Sequence, residues 1–453
     1  MRALLADLRL AWLLTRGSDR REWWRVLLTA VGAALATGLG LTVAALLPLE
    51  GRHTVPVGGG LLDAPGTRIG VVAGLLLLFV PVLGFLGQCA RVGAVHRDRR
   101  LAALRLAGAT PAQTRRIAAL EAGPACLVGS AAATALAVPA LLRLWHSPAP
   151  SAWAGIAAVA VGVPVLGAAV SALMLRRVVT SPLGRLRRLR PAEGPGRLFR
   201  VATTVLALSV VYVVTTPFHD VPFQFALTPV TIVGVCLLVG AVAVWLTGAS
   251  ARQLGEGLAA RARRPETLIA AERLRDDPWA AARTHAAVLL VTVVGSGFMG
   301  IRQVMLALLR RRGNGHATGT GFYENGLDLV GLALLFALVL VVTALGVGTA
   351  ESVATRRRGL AAQVASGVPY PVLARATLLE TAVPLAPALT LAGLGGLTVS
   401  VWYGAAASEH TALPVPYDAL LPPVAVYAAC LLAAATSLPL LRRSVRPGEL
   451  RYT

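Results

Sequence analysis

The sequence predicts an all-α integral membrane protein of about ten transmembrane helices. They form two parallel four-helix repeats, spans 1–4 and 7–10, joined by spans 5–6. Three observations lead there. Apolar runs of span length recur along the chain. The arginines collect in alternate connections between those runs. One arginine-rich connection occurs twice, at an ungapped offset of 259 residues.

Composition sets the class. The chain is 56% hydrophobic and 14% charged, with a mean hydropathy of +0.69. Soluble domains run near 45–50% apolar and about a quarter charged. The net charge is +22, and all 43 basic residues are arginine. Without lysine there can be no G-x-x-x-x-G-K-[ST] loop, whose lysine reaches the phosphates of a bound nucleotide, so ATP hydrolysis by that route is excluded. In a membrane protein such basicity faces anionic lipid, and no nucleic-acid partner is expected. Cys89, Cys126, Cys236 and Cys430 lie far apart in apolar runs. They read as small helix residues, and neither a disulfide framework nor a metal site is indicated.

Residues 1–25 carry Arg2, Arg9, Arg16, Arg20, Arg21 and Arg25, with Leu4, Leu5, Leu8, Trp12 and Leu13 at helical spacing. This is the pattern of an amphipathic segment on the inner leaflet, too charged for a cleaved signal peptide. Ten apolar runs follow, near 26–48, 69–92, 118–142, 153–175, 198–216, 226–247, 284–307, 326–349, 376–402 and 419–441. Each is about the 20 residues needed to cross the hydrocarbon core. With both termini cytoplasmic, 36 of the 43 arginines fall inside and 7 outside, as the positive-inside rule requires. Arg310, Arg311 and Arg312 are the main outside cluster, and Arg302 can snorkel toward it. Small residues such as those at 129–133 and 393–396 let helices approach closely. Pro81, Pro164, Pro384 and Pro387 predict bends. The longest inside connection, 249–284, contains a helical pattern over 265–274.

The duplicated connection organises the rest. The first copy carries Arg97, Arg99, Leu101, Leu104, Arg105, Leu106 and Gly108, then Arg115, Arg116 and Glu121. The second carries Arg356, Arg357, Arg358, Leu360, Gly367, Arg375 and Glu380. Over positions 97–121, nine residues recur identically 259 positions later, Gly108/Gly367 and Glu121/Glu380 among them. Each copy follows a span with a basic amphipathic segment, breaks it at glycine, and returns through a second basic segment to a glutamate. Two spans separate the halves, so their orientations agree and the repeat is parallel. The glutamates have two readings: a first-turn acid favoured by the helix dipole, or a salt link to a loop arginine. The basic segments also have two: contact with lipid headgroups alone, or docking of a short helix in a partner's groove, with Leu101, Leu104, Leu106 and Leu360 supplying the apolar side.

Catalysis finds no footing, because no titratable groups converge. The ionisable candidates near spans sit at edges: Glu121, His285, Arg302, Asp328 and Glu380. Span centres lack acids, which argues against a proton- or sodium-coupled carrier.

The run from Arg97 through Leu104-Arg105-Leu106-Ala107-Gly108-Ala109-Thr110-Pro111 to Arg116 and Glu121 resembles the FtsX-like permease domain of MacB-type ABC transporters. The second copy is degenerate, with Val364, Ser366, Val368 and Pro369 at positions where the first copy's residues fit the pattern. The resemblance covers roughly 69–180 and 326–446. Ten spans with two such regions are similar to bacitracin-exporter-type permeases, but no outer loop is long enough for their large extracellular domain. The resemblance implies a permease subunit of a bacterial cell membrane that binds a separate ABC ATPase, as a dimer, through these arginine-rich segments. It implies no catalytic residue and no cofactor. Substrate export or extraction is the first function implied, and an ATPase-coupled signalling scaffold is the alternative. The expected organisation is an N-terminal segment (1–25), a first repeat (26–180), a linker with spans 5–6 (181–282), a second repeat (283–446) and a tail (447–453).

Overall fold

A computed structural model describes residues 20–53, 55, 58–91, 103–104, 106–144, 149–174, 196–215, 221–312, 320–407 and 415–444. These form helices α1 (Arg20–Leu46), α2 (Pro65–Arg91), α3 (Pro111–Leu144), α4 (Pro150–Met174), α5 (Arg197–Thr215) and α6 (Val221–Ala260). Then come α7 (Pro265–Asp276), α8 (Pro278–Arg312), α9 (Thr320–Thr355), α10 (Arg357–Ala365), α11 (Tyr370–Ala407), a 3₁₀ turn (Tyr417–Leu420), α12 (Leu421–Ala435) and α13 (Leu438–Ser444). No strand occurs among the described residues. Helices suit lipid, because a helix satisfies its backbone groups within one segment. Five helices open on proline, whose missing N–H costs nothing at a position that would have no intrahelical acceptor.

Among the described residues nine helices are long and apolar enough to cross a membrane. The expected fifth span is α5, whose apolar stretch Phe199–Ser209 is shorter than the others. The inside connection expected over 249–284 is almost wholly helical. Here α6 runs on to Ala260, and its Gly255 lets it lie close to Ala271 and Arg275 of α7.

The chain divides into two compact units, residues 1–51 with 82–190, and residues 52–81 with 191–453. In the first, α1, α3 and α4 pack on one another. A Cβ at Gly129 would collide with the Ala30 carbonyl, so glycine is what lets α3 meet the α1 backbone. The Ser130 hydroxyl donates to the Ala160 carbonyl of α4 at 2.9 Å, an interhelical bond of the kind that holds bundles in lipid.

In the second unit the same arrangement recurs, with α8, α11 and α12 in the places of α1, α3 and α4. Of the nine described span-length helices, α8 is the most enclosed, with more than half of its most apolar stretch buried. Its Val288, Leu289 and Val293 meet Leu385 and Leu389 of α11, Val341 and Leu345 of α9, and Val426 of α12 in one apolar core. Gly396 brings α11 against the α8 backbone at Val293 and Gly297. Helix α6 covers α8 and α11. Arg302 donates to Asp328 at 3.0 Å. The Gln303 side-chain amide bonds Val415 C=O and accepts from Asp418 N–H, tying the 3₁₀ turn to α8.

Candidate functional site: two matched turns and an arginine–glutamate clamp

The duplicated connection folds the same way twice. Gly108 has φ +98° and Gly367 φ +97°, a left-handed conformation that glycine adopts without steric cost. Each glycine closes a turn of helix. Ala109 N–H donates to Leu104 C=O and Val368 N–H to Gln363 C=O, both at 3.0 Å. One residue before each glycine, Ala107 N–H bonds Ala103 C=O and Ser366 N–H bonds Ala362 C=O, both at 2.9 Å. Gly367 N–H completes the second turn by donating to Val364 C=O at 2.9 Å. This is a Schellman ending, which satisfies carbonyls the helix leaves over. The Ala109 and Ala107 bonds each lie 259 residues from their matches, those of Val368 and Ser366. Exposure follows the same register: 103/362, 106/365 and 108/367 are exposed, 104/363 and 109/368 half-buried, 114/373 and 117/376 buried.

The next helix starts differently in the two copies. At α3, Thr110 N–H donates to the Gln113 side chain at 2.8 Å and Gln113 N–H to the Thr110 hydroxyl at 3.2 Å. This reciprocal capping box satisfies two end donors. The second copy has Pro369 and Val372 at these positions and no such bonds.

Glu380 lies three turns into α11. The first-turn dipole reading therefore does not apply to it, and the salt link does. Arg273 of α7 donates to Oε2 at 2.9 Å and Arg356, at the N-cap of α10, donates to Oε1 at 2.8 Å. Glu380 is 26% exposed, Arg273 17% and Arg356 43%, so the clamp is partly screened. A second pair, Arg375 to Glu266 at 3.7 Å, ties α11 to the first turn of α7.

Leu360 corrects one expectation. It is buried with Val353, Leu373 and Leu441, so the apolar side of α10 faces its own bundle rather than a partner. Tyr370 closes the cluster, its hydroxyl donating to Leu438 C=O at 3.1 Å. What α10 shows outward is Arg358, Gly359, Ala362 and Ala365. Among the described residues of the first copy, Leu106 is the largest exposed apolar side chain, at 68%, and Leu104 is half-buried. Arg116 is exposed like its counterpart Arg375. Arg115 and Glu121 lie within α3. Arg97, Arg99, Leu101 and Arg105 lie outside the described residues, and Arg357 lies in α10.

Sequence reasoning passed over Arg273 and Glu266 as members of the site. Their signal was the helical pattern of 265–274, with acids and bases one turn apart, but nothing in the sequence says which way that helix faces. No group of three metal-ligating side chains occurs among the described residues.

The first glycine turn and the helices on either side of it fall within a matched family region. Residues 71–183 match the FtsX-like permease C-terminal family. FtsX-like permeases are transmembrane components of ABC-type systems, generally not themselves catalytic, and generally work with ABC ATPase partners. The FtsX-like region spans most of α2, the first turn, α3 and α4. No curated protein matches the chain.

Proposed function

We propose that the chain is the membrane subunit of an ABC system and couples ATP hydrolysis by a separate ATPase dimer to export of a substrate or its extraction from the membrane. The observation that carries this reading is the duplicated Gly108/Gly367 turn, one copy of which lies inside the FtsX-like region. One chain thereby offers two docking points of the same backbone geometry, as a dimer of identical ATPase subunits would need. Each point is a glycine-ended turn of helix continued by a span.

The mechanism follows from the mechanical connections. In the second copy α10 is fastened to the bundle by Leu360 and by the Glu380 clamp. Force applied to its outward face passes to α11 through Glu380 and to α7 through Arg273. Helix α7 leads directly into α8, the centre of the unit. Closure of the ATPase dimer would thus move spans rather than only a loop. In this reading the turns are cytoplasmic, the membrane is a bacterial plasma membrane, both termini are inside, and the remaining arginines contact lipid headgroups.

The test is reconstitution with a candidate ABC ATPase from the same organism. Association with the wild type, and its loss when Leu106 and Ala365 are both replaced by aspartate, is the expected outcome. Undiminished association overturns the docking assignment.

A further inference from the structure

Helix α6 continues past its apolar part, and α7 returns along it as a hairpin, with Gly255 against Ala271 and Arg275. The apolar stretch of α6 ends near Thr247. Exposed Trp245 and Trp279, which packs on Gly248, supply there the aromatic residues usual at a membrane boundary. Beyond them comes the exposed Arg252–Glu256 pair. The tip of the hairpin holds Arg261, Arg263 and Arg264, all exposed and none in an ion pair with a described residue. We infer that this basic tip is a further contact for the ATPase, belonging to the second docking point, and that it fits an acidic patch on that protein. The inference rests on the proposed seating of an ATPase at the glycine turns.

The tip lies on the same side of the unit as the second turn. Glu266, in the first turn of α7, pairs with Arg375 near the start of α11. Ile269 packs against the Leu360 cluster, as do Val364, Val368 and Tyr370 on either side of Gly367. A protein seated on the Gly367 turn therefore has the hairpin tip within its footprint.

Height decides between protein and lipid. At about 1.5 Å per residue, the run from 247 to 260 carries the end of α6 roughly 20 Å past Thr247. A tilt of about 20°, usual for spans, shortens this by only about 1 Å. The headgroup layer adds roughly 5–8 Å to each side of the hydrocarbon core, well short of the tip. These three are thus an exception to the lipid contact of the other arginines.

The chemistry of the tip names the surface it fits. Guanidinium groups offer forked donors that match carboxylates. The glutamates of the hairpin are already taken: Glu256 by Arg252, Glu266 by Arg375 and Glu272 by Arg275. Leu268, one turn after Arg264, is 46% exposed and adds an apolar side chain to the same face. Arginine is enriched at protein interfaces, where an apolar centre lies within a polar rim. Such a contact gives the second docking point a grip on α7 itself, the helix that leads into α8.

The test uses the intact chain in lipid nanodiscs with a candidate ABC ATPase from the same organism. Arg261→Glu/Arg263→Glu/Arg264→Glu should weaken association at least about tenfold, chiefly in the association rate and less so at high salt. Arg252→Glu, on the same hairpin but nearer the membrane, should leave association unchanged. Wild-type affinity in the triple variant overturns the inference, and the docking reading survives if Leu106→Asp with Ala365→Asp still abolishes association. Loss in the triple variant with full association in that double variant supports the tip and overturns the turns. No association of the wild-type chain with any ABC ATPase of the organism overturns both. The four native cysteines are buried, so a nitroxide on Arg263→Cys reports the tip alone. In anionic nanodiscs it should be open to a water-soluble relaxation agent and lose that access when the ATPase binds. A nitroxide immersed in the lipid layer, or one whose access the bound ATPase leaves unchanged, overturns the inference.

Discussion

Glu380→Gln isolates the clamp. The substitution keeps the shape and one acceptor oxygen but removes the charge that two guanidinium groups share. Hydrogen bonds to charged groups contribute roughly 1.5–3 kcal/mol when well buried, and exposed pairs about 0–1 kcal/mol. Arg273 at 17% exposure stands nearer the first case and Arg356 at 43% nearer the second. With a neutral bond retained, a loss of about 1.5 kcal/mol is expected, close to tenfold in a local opening equilibrium. The assay is hydrogen–deuterium exchange in nanodiscs, read on peptides from α7 and α10. Both should exchange about tenfold faster in the variant, while peptides from α1 and α3 stay unchanged. The control is Glu256→Gln, whose partner Arg252 is 73% exposed and which should change nothing. If α7 and α10 keep wild-type exchange in Glu380→Gln, the clamp does not hold these helices, and the proposed route of force through Glu380 fails.

Other expectations follow from the same geometry. Gly108→Ala and Gly367→Ala meet no steric obstacle, since nothing lies within 4 Å of either Cβ. Their cost is therefore conformational, about 1–2 kcal/mol each, seen as a lower thermal midpoint that Asn at the same site should partly restore. Leu360→Ala should cost about 2–5 kcal/mol by opening a cavity in the cluster around Val353 and Leu373. Leu106→Ala should leave the thermal midpoint within error, because the side chain is 68% exposed, yet weaken ATPase co-purification. Replacement of Thr110 by Ala should cost about 1 kcal/mol through the lost capping box, whereas Pro369→Ala removes no side-chain bond and should cost less. For orientation, single cysteines at 60 and 315 should react with an impermeant reagent from outside and those at 110 and 260 should not.

The helices and the duplicated turn were legible in the sequence because both rest on local signals. Span length and hydropathy mark a helix in lipid with little help from tertiary structure, and the prolines at 65, 111, 150, 265 and 278 mark where five helices begin. Gly108 and Gly367 were legible as breaks because only glycine enters the left-handed region cheaply. The facing of the short helices was not legible. Leu360 looks like a docking residue from its amphipathic pattern, but the same pattern serves a helix that buries its apolar side in its own bundle. The partners of Glu380 were hidden for a related reason. Arg356 lies 24 residues before it and Arg273 lies 107, and the second depends on where α7 folds back onto α11.

The central claim is that the two glycine-ended helices are where a separate ATPase seats. Photo-crosslinking tests it most directly: a benzophenone amino acid placed at 106, at 365 or at 60 in full-length protein, expressed with a candidate ABC ATPase in native membranes. Adducts to the ATPase from 106 and 365, and none from 60, are the predicted result. Efficient incorporation at 106 and 365 with no ATPase adduct from either, in membranes where the two proteins co-purify, would contradict it.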